Sequence, residues 1–87
     1  NLNNNAYFAV YPNPAKDVLY INTNENINEK VQFVLFDANG KLILNKEVEK
    51  ISNNESVVFN IQSISTGTYF LEIKLKNTSK KIKFVKE

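Results

Sequence analysis

The sequence predicts an all-β domain, a two-layer antiparallel β-sandwich of about seven short strands. Three observations predict it. Apolar residues recur mostly at every second position, and no ten-residue stretch keeps a helical period. Clusters of Asn, Gly, Pro and Ser break the apolar runs at short intervals. Finally, 87 residues, 43% of them apolar, supply one thin core and leave no room for a second domain. A lone sheet would leave its apolar face in water, whereas two stacked sheets cover it.

Each element follows from local pattern. Asn1–Ala6 holds four Asn in six residues without periodicity and reads as a linker, with the domain at 7–87. Tyr7–Tyr11 is a short first strand, stopped by Pro12 and Pro14. Asp17–Thr23 is the second; its apolar run Val18-Leu19-Tyr20-Ile21 suits a strand covered on both faces. After the polar loop Asn22–Glu29 comes Lys30–Asp37, with Val31, Phe33 and Leu35 on one side and Val34 and Phe36 on a partly covered other side. Asp37-Ala38-Asn39-Gly40 is a hairpin turn, Asn-Gly supplying positive φ angles. It makes Lys41–Val48 the antiparallel neighbour of the third strand. Beyond the loop Glu49–Glu55, Val57, Phe59 and Ile61 alternate in Ser56–Ile61.

The sixth strand, Thr68–Lys76, has the cleanest pattern. Tyr69, Leu71, Ile73 and Leu75 share one face, and Phe70, Glu72, Lys74 and Lys76 the other. Gly67-Thr68-Tyr69 at its start resembles a tyrosine corner, whose phenol bonds backbone a few residues upstream. Asn77–Ser79 turns the chain into the last strand, Lys80–Lys86, where Ile82 and Phe84 alternate with Lys81 and Lys83.

Composition excludes most catalysis. The chain has no His, Cys, Met, Trp or Arg. Without His and Cys, the usual zinc, haem and iron–sulfur ligand sets are missing, as are Ser-His-Asp and Cys-His nucleophiles. We therefore expect no enzyme activity, no metal and no cofactor. The absence of Cys excludes a disulfide framework. Asp37-Ala38-Asn39-Gly40 lacks the third carboxylate and the bidentate Glu of a calcium loop. Asn54-Glu55-Ser56 and Asn77-Thr78-Ser79 match the glycosylation triplet, as chance allows in so Asn-rich a chain. The chain starts at Asn1 without any Met, which reads as part of a longer product.

Charge is uneven. Residues 74–87 carry six lysines against one acid, Glu87, whereas the other residues carry five lysines against eight acids. Lysines on an edge strand discourage edge-to-edge pairing; they also attract an acidic partner. Nucleic acid is not the expected partner, because Arg, the usual fork for phosphate and bases, is absent.

Tyr11-Pro12-Asn13-Pro14 forms a stiff bend, since two prolines fix φ and push Tyr11 and Asn13 toward extended geometry. Its greater value is as a recognition mark. In order, the chain presents Val10-Tyr11-Pro12-Asn13-Pro14, Asp17-Val18-Leu19-Tyr20-Ile21 and Leu35-Phe36-Asp37-Ala38-Asn39-Gly40-Lys41-Leu42. Then come Ile64-Ser65-Thr66-Gly67-Thr68-Tyr69-Phe70-Leu71 and Lys80-Lys81-Ile82-Lys83-Phe84-Val85-Lys86. This succession resembles the type A C-terminal sorting domain of proteins exported by the bacterial type IX secretion system, over about Phe8 to Lys86. Ile64 stands where Leu is commoner, and Glu87 follows the final Lys.

The resemblance implies an immunoglobulin-like sandwich fused to a larger N-terminal cargo and expected to be a monomer. It implies transit through the periplasm, passage through the outer-membrane translocon with its shuttle components, and arrival at the outer-membrane surface or outside the cell. A cell-surface sortase then cuts ahead of the first motif and joins the cargo to an anionic lipopolysaccharide. The signature residues are Tyr11, Pro12, Asn13, Pro14, Asp37, Gly40, Gly67, Tyr69, Lys81, Lys83, Phe84, Val85 and Lys86. We expect Lys81, Lys83, Phe84, Val85 and Lys86 to contact the export machinery, an edge strand being open to strand addition. We expect Gly67→Val and Tyr69→Ala to destabilise the fold by ~1–4 kcal/mol and to lose export as a consequence. The alternative is an accessory carbohydrate-binding or spacer sandwich of a secreted enzyme or adhesin; such binding usually shows a row of exposed aromatics, often Trp.

Overall fold

The computed structural model describes residues 8–87. They form β1 (Phe8–Tyr11), β2 (Val18–Thr23), β3 (Val31–Asp37), β4 (Leu42–Val48), β5 (Val57–Asn60), β6 (Gly67–Lys74) and β7 (Ser79–Lys86), with no helix among them. Two antiparallel sheets result, ordered β1-β2-β5 and β4-β3-β6-β7, as a sandwich requires. The strand limits lie within two residues of those expected from alternation. Tyr7 and the expected linker Asn1–Ala6 lie outside the described residues.

The alternating residues meet between the sheets. Leu19 and Ile21 of β2 and Phe59 of β5 face Val31, Phe33 and Leu35 of β3, Leu71 and Ile73 of β6 and Phe84 of β7, all of them buried in one cluster. Phe33 and Phe59 meet edge to face across the layers, with centroids 5.5 Å apart and planes at 78°, an arrangement their ring quadrupoles favour. Val34, on the outer face of β3, is only 6% exposed between Asn45 of β4 and Glu72 of β6, so the expected cover there is real. β2 differs from expectation. Leu19 and Ile21 are fully buried, but Val18 and Tyr20 are half-buried because their face is the outside of the sandwich.

The β3–β4 hairpin corrects a second expectation. Within this hairpin only Gly40 has a positive φ, 84°, and no described non-glycine residue does. Asp37 closes a three-residue loop: its N–H donates to the Lys41 carbonyl at 2.9 Å, and its carbonyl accepts from Gly40 N–H at 3.0 Å. The Asp37 carboxylate Oδ1 accepts from the N–H groups of both Asn39 and Lys41, each at 2.9 Å. This side-chain capture holds Asn39 out of the left-handed region and leaves that conformation to Gly40.

The antiparallel order sorts the connections by end. The β2–β3, β4–β5 and β6–β7 connections lie at one end, where Ile27 and Ile51 pair by two backbone hydrogen bonds of 2.8 and 2.9 Å and bury both side chains. The bend after β1, the β3–β4 hairpin, the β5–β6 connection and the finish of β7 lie at the opposite end.

Candidate recognition surface

The second end gathers every signature segment. Across the larger sheet, Asp37 of β3 is in register with Tyr69 of β6, and Tyr69 with Phe84 of β7. Two rows further on, Gly67 is in register with Lys86, and Lys86 bridges in parallel to Ala15, just past the double-proline bend.

That bend is bound to the outer edge of β7. Pro12 and Pro14 have no N–H to offer, so the pairing falls to their neighbours. Asn13 Oδ1 accepts from Val85 N–H at 3.0 Å. Ala15 N–H donates to the Val85 carbonyl at 2.8 Å, and the Ala15 carbonyl accepts from Glu87 N–H at 2.8 Å. Ala15 itself is fully buried. Both X–Pro bonds, Tyr11–Pro12 and Asn13–Pro14, are cis. Tyr11 packs against Tyr20, ring centroids 5.5 Å apart, and donates its hydroxyl to Asn22 Oδ1 at 3.2 Å.

The tyrosine corner is present. Tyr69 Oη donates to the Ser65 carbonyl at 2.6 Å, tying the β5–β6 connection to the strand it feeds. The ring is 5% exposed and stacks on Phe84 at 5.8 Å. Gly67 starts β6 with φ of 156°, a conformation side chains rarely adopt, and beyond its own chain neighbours no atom lies within 4 Å of where its Cβ would sit. Backbone conformation, not crowding, is what asks for glycine here.

β7 divides by face. Ile82, Phe84 and Lys86 point inward, while Lys81, Lys83 and Val85 point out. Phe84 is fully buried, so it builds the core. Lys86 is only 7% exposed; its aliphatic stem lies on the inner side opposite Gly67, and Nζ donates to the Glu87 carbonyl at 2.8 Å. A surface contact through β7 therefore falls to Lys81, Lys83 and Val85.

Beside them the outer face of the larger sheet carries an apolar patch. Leu42, Phe36, Phe70 and Lys83 form one cross-strand row. Phe36 and Phe70 floor an open hollow of about 410 Å³ bounded by Asp37, Gly40, Glu72 and Lys81. The sequence did not single out Ala15 or this row. An apolar residue directly after Pro14 in an otherwise polar bend was the one available signal for the former.

A family model described as the secretion system C-terminal sorting domain matches residues 9–87. The chain belongs to that family. No curated protein matches it. This sorting domain is thus a type IX secretion signal, which works with the type IX machinery to export a fused cargo across the outer membrane. The match runs through Tyr11, Pro12, Asn13 and Pro14, the Asp37–Gly40 hairpin, Gly67, Tyr69 and all of β7.

Proposed function

We propose that the export machinery reads this sorting domain at the end where its signature segments converge, chiefly through the outward face of β7. The convergence of the double-proline bend, the Asp37–Gly40 hairpin, the tyrosine corner and the last strand supports that reading. A signal shared by unrelated cargoes must carry its own structure, and a closed sandwich does so. The domain passes the periplasm as a folded monomer and meets the translocon and its shuttle components with Lys81, Lys83 and Val85. A cell-surface sortase then cuts ahead of Tyr11, in the segment before the first strand, and joins the cargo to lipopolysaccharide. The domain is a substrate in that step and performs no chemistry.

Fusing a reporter ahead of Asn1 tests this. Export that requires both the domain and a working type IX system supports the reading, with loss of the domain from the surface-held reporter as the mark of cleavage. Export that ignores either one overturns it. Among the described residues the carbohydrate-binding alternative rests on one well-exposed ring, Tyr11 at 43%, whose hydroxyl is already bonded to Asn22; retention on a glycan resin would favour it.

A further inference from the structure

Resting on that reading, we infer that β7 is read by strand addition, and that the added strand is an acidic extended segment of the partner, confined to Ser79–Lys83. Val85 sends its N–H and C=O away from β6, to Asn13 and Ala15. In an antiparallel ladder alternate residues point the same way, so Lys81 and Lys83 also send theirs outward. Among the described residues these groups have no hydrogen-bond partner. The bend thus closes the final stretch of this edge and leaves the preceding stretch open. The open length offers about four backbone hydrogen bonds to an incoming strand.

The other edges are less suited. β4 carries a register shift opposite Leu35/Phe36, which kinks an edge. Its outward charges are mixed, and Glu47 is paired to Lys30 at 3.3 Å. β5 is four residues long, and the Lys46 ammonium bonds its Val58 carbonyl at 3.1 Å. β1 is also four residues long. β7 has eight residues paired in unbroken register with β6.

Charge selects the occupant. Lys81 and Lys83 are exposed on the outer face, and among the described residues neither makes an ion pair. The nearest acid in register is Glu72, opposite Lys81. A strand added here places alternate side chains directly beside Lys81 and Lys83, where acids are favoured and cations repelled. Its other side chains fall beside half-buried Ile82, where β-branched apolar residues extend the core.

The test titrates the isotope-labelled chain with a capped peptide of alternating Glu and Val, followed by amide NMR. Strand addition predicts shifts centred on Ser79–Lys83 and slowed exchange of the Lys81 and Lys83 amides. Lys81→Glu with Lys83→Glu, both surface changes, should weaken binding at least about tenfold. A peptide N-methylated at each Glu, whose amides face β7 when Glu lies beside Lys81 and Lys83, should not bind. No shift at millimolar peptide, shifts centred instead on Phe36 and Phe70, or equal binding of the N-methylated peptide overturns the inference. The sorting reading is scored apart, by type IX-dependent export of the reporter. If export holds and peptide binding fails, strand addition falls alone; if export is independent of the type IX system, the sorting reading falls whatever the peptide does.

Discussion

Asn13 Oδ1 accepts a hydrogen bond from Val85 N–H at 3.0 Å, linking residues 72 positions apart in the sequence. The first signature segment is thereby held on the last. With the two Ala15 bonds, it makes the double-proline bend a cap on β7 and not merely a turn between β1 and β2. Asn13→Ala deletes the acceptor and leaves the Val85 amide unpaired. We expect a loss of about 1 kcal/mol in urea unfolding. Exchange of the Val85 and Glu87 amides should accelerate more than that of Leu71, which lies in the core. An unchanged Val85 exchange rate would contradict the cap.

The tyrosine corner separates hydrogen bonding from packing. Tyr69→Phe removes the 2.6 Å bond to the Ser65 carbonyl but keeps the ring against Phe84. A loss of about 1–2 kcal/mol is expected. Tyr69→Ala also removes the buried ring and should cost about 3–4 kcal/mol, the upper part of the range expected from sequence. Equal losses for the two variants would show that the hydroxyl, not the ring, carries the whole effect.

Gly67 and Gly40 serve backbone conformation, since beyond its own chain neighbours neither has an atom within 4 Å of a built Cβ. Alanine at either position should cost about 1–3 kcal/mol through its unfavourable φ alone. Serine, slightly larger, should cost the same as alanine at Gly67. A much larger loss for serine in thermal unfolding would point to crowding.

Export and folding are separable at β7. Removing Lys80–Glu87 takes away Ile82 and the fully buried Phe84, so it should unfold the domain and abolish export together. Lys81→Glu with Lys83→Glu alters only exposed side chains. It should shift stability by no more than about 0.5 kcal/mol at each site while reducing reporter export. Wild-type export by the double variant would remove these lysines from the contact.

Much of this was legible in the sequence because alternation is a local signal. β6 reads correctly residue by residue, as Tyr69, Leu71 and Ile73 go in and Glu72 and Lys74 stay wet or half-covered. What failed depended on contacts between distant segments. Counting by twos from Ile82 puts Lys86 inside, yet a lysine argues for outside; the room opposite Gly67 decides it. The turn expected to place positive φ angles through Asn39-Gly40 places only Gly40 there, because the Asp37 carboxylate captures the Asn39 amide. The signature segments could be recognised singly, but their meeting at one end is a property of the strand order, which no local pattern encodes.

The most direct test of the central claim is secretion of a reporter fused ahead of Asn1, measured in cells with and without a functioning type IX system. Reporter should appear outside the outer membrane only when both the system and the intact domain are present. Equal release from cells lacking the system, or from a reporter without residues 7–87, would contradict it.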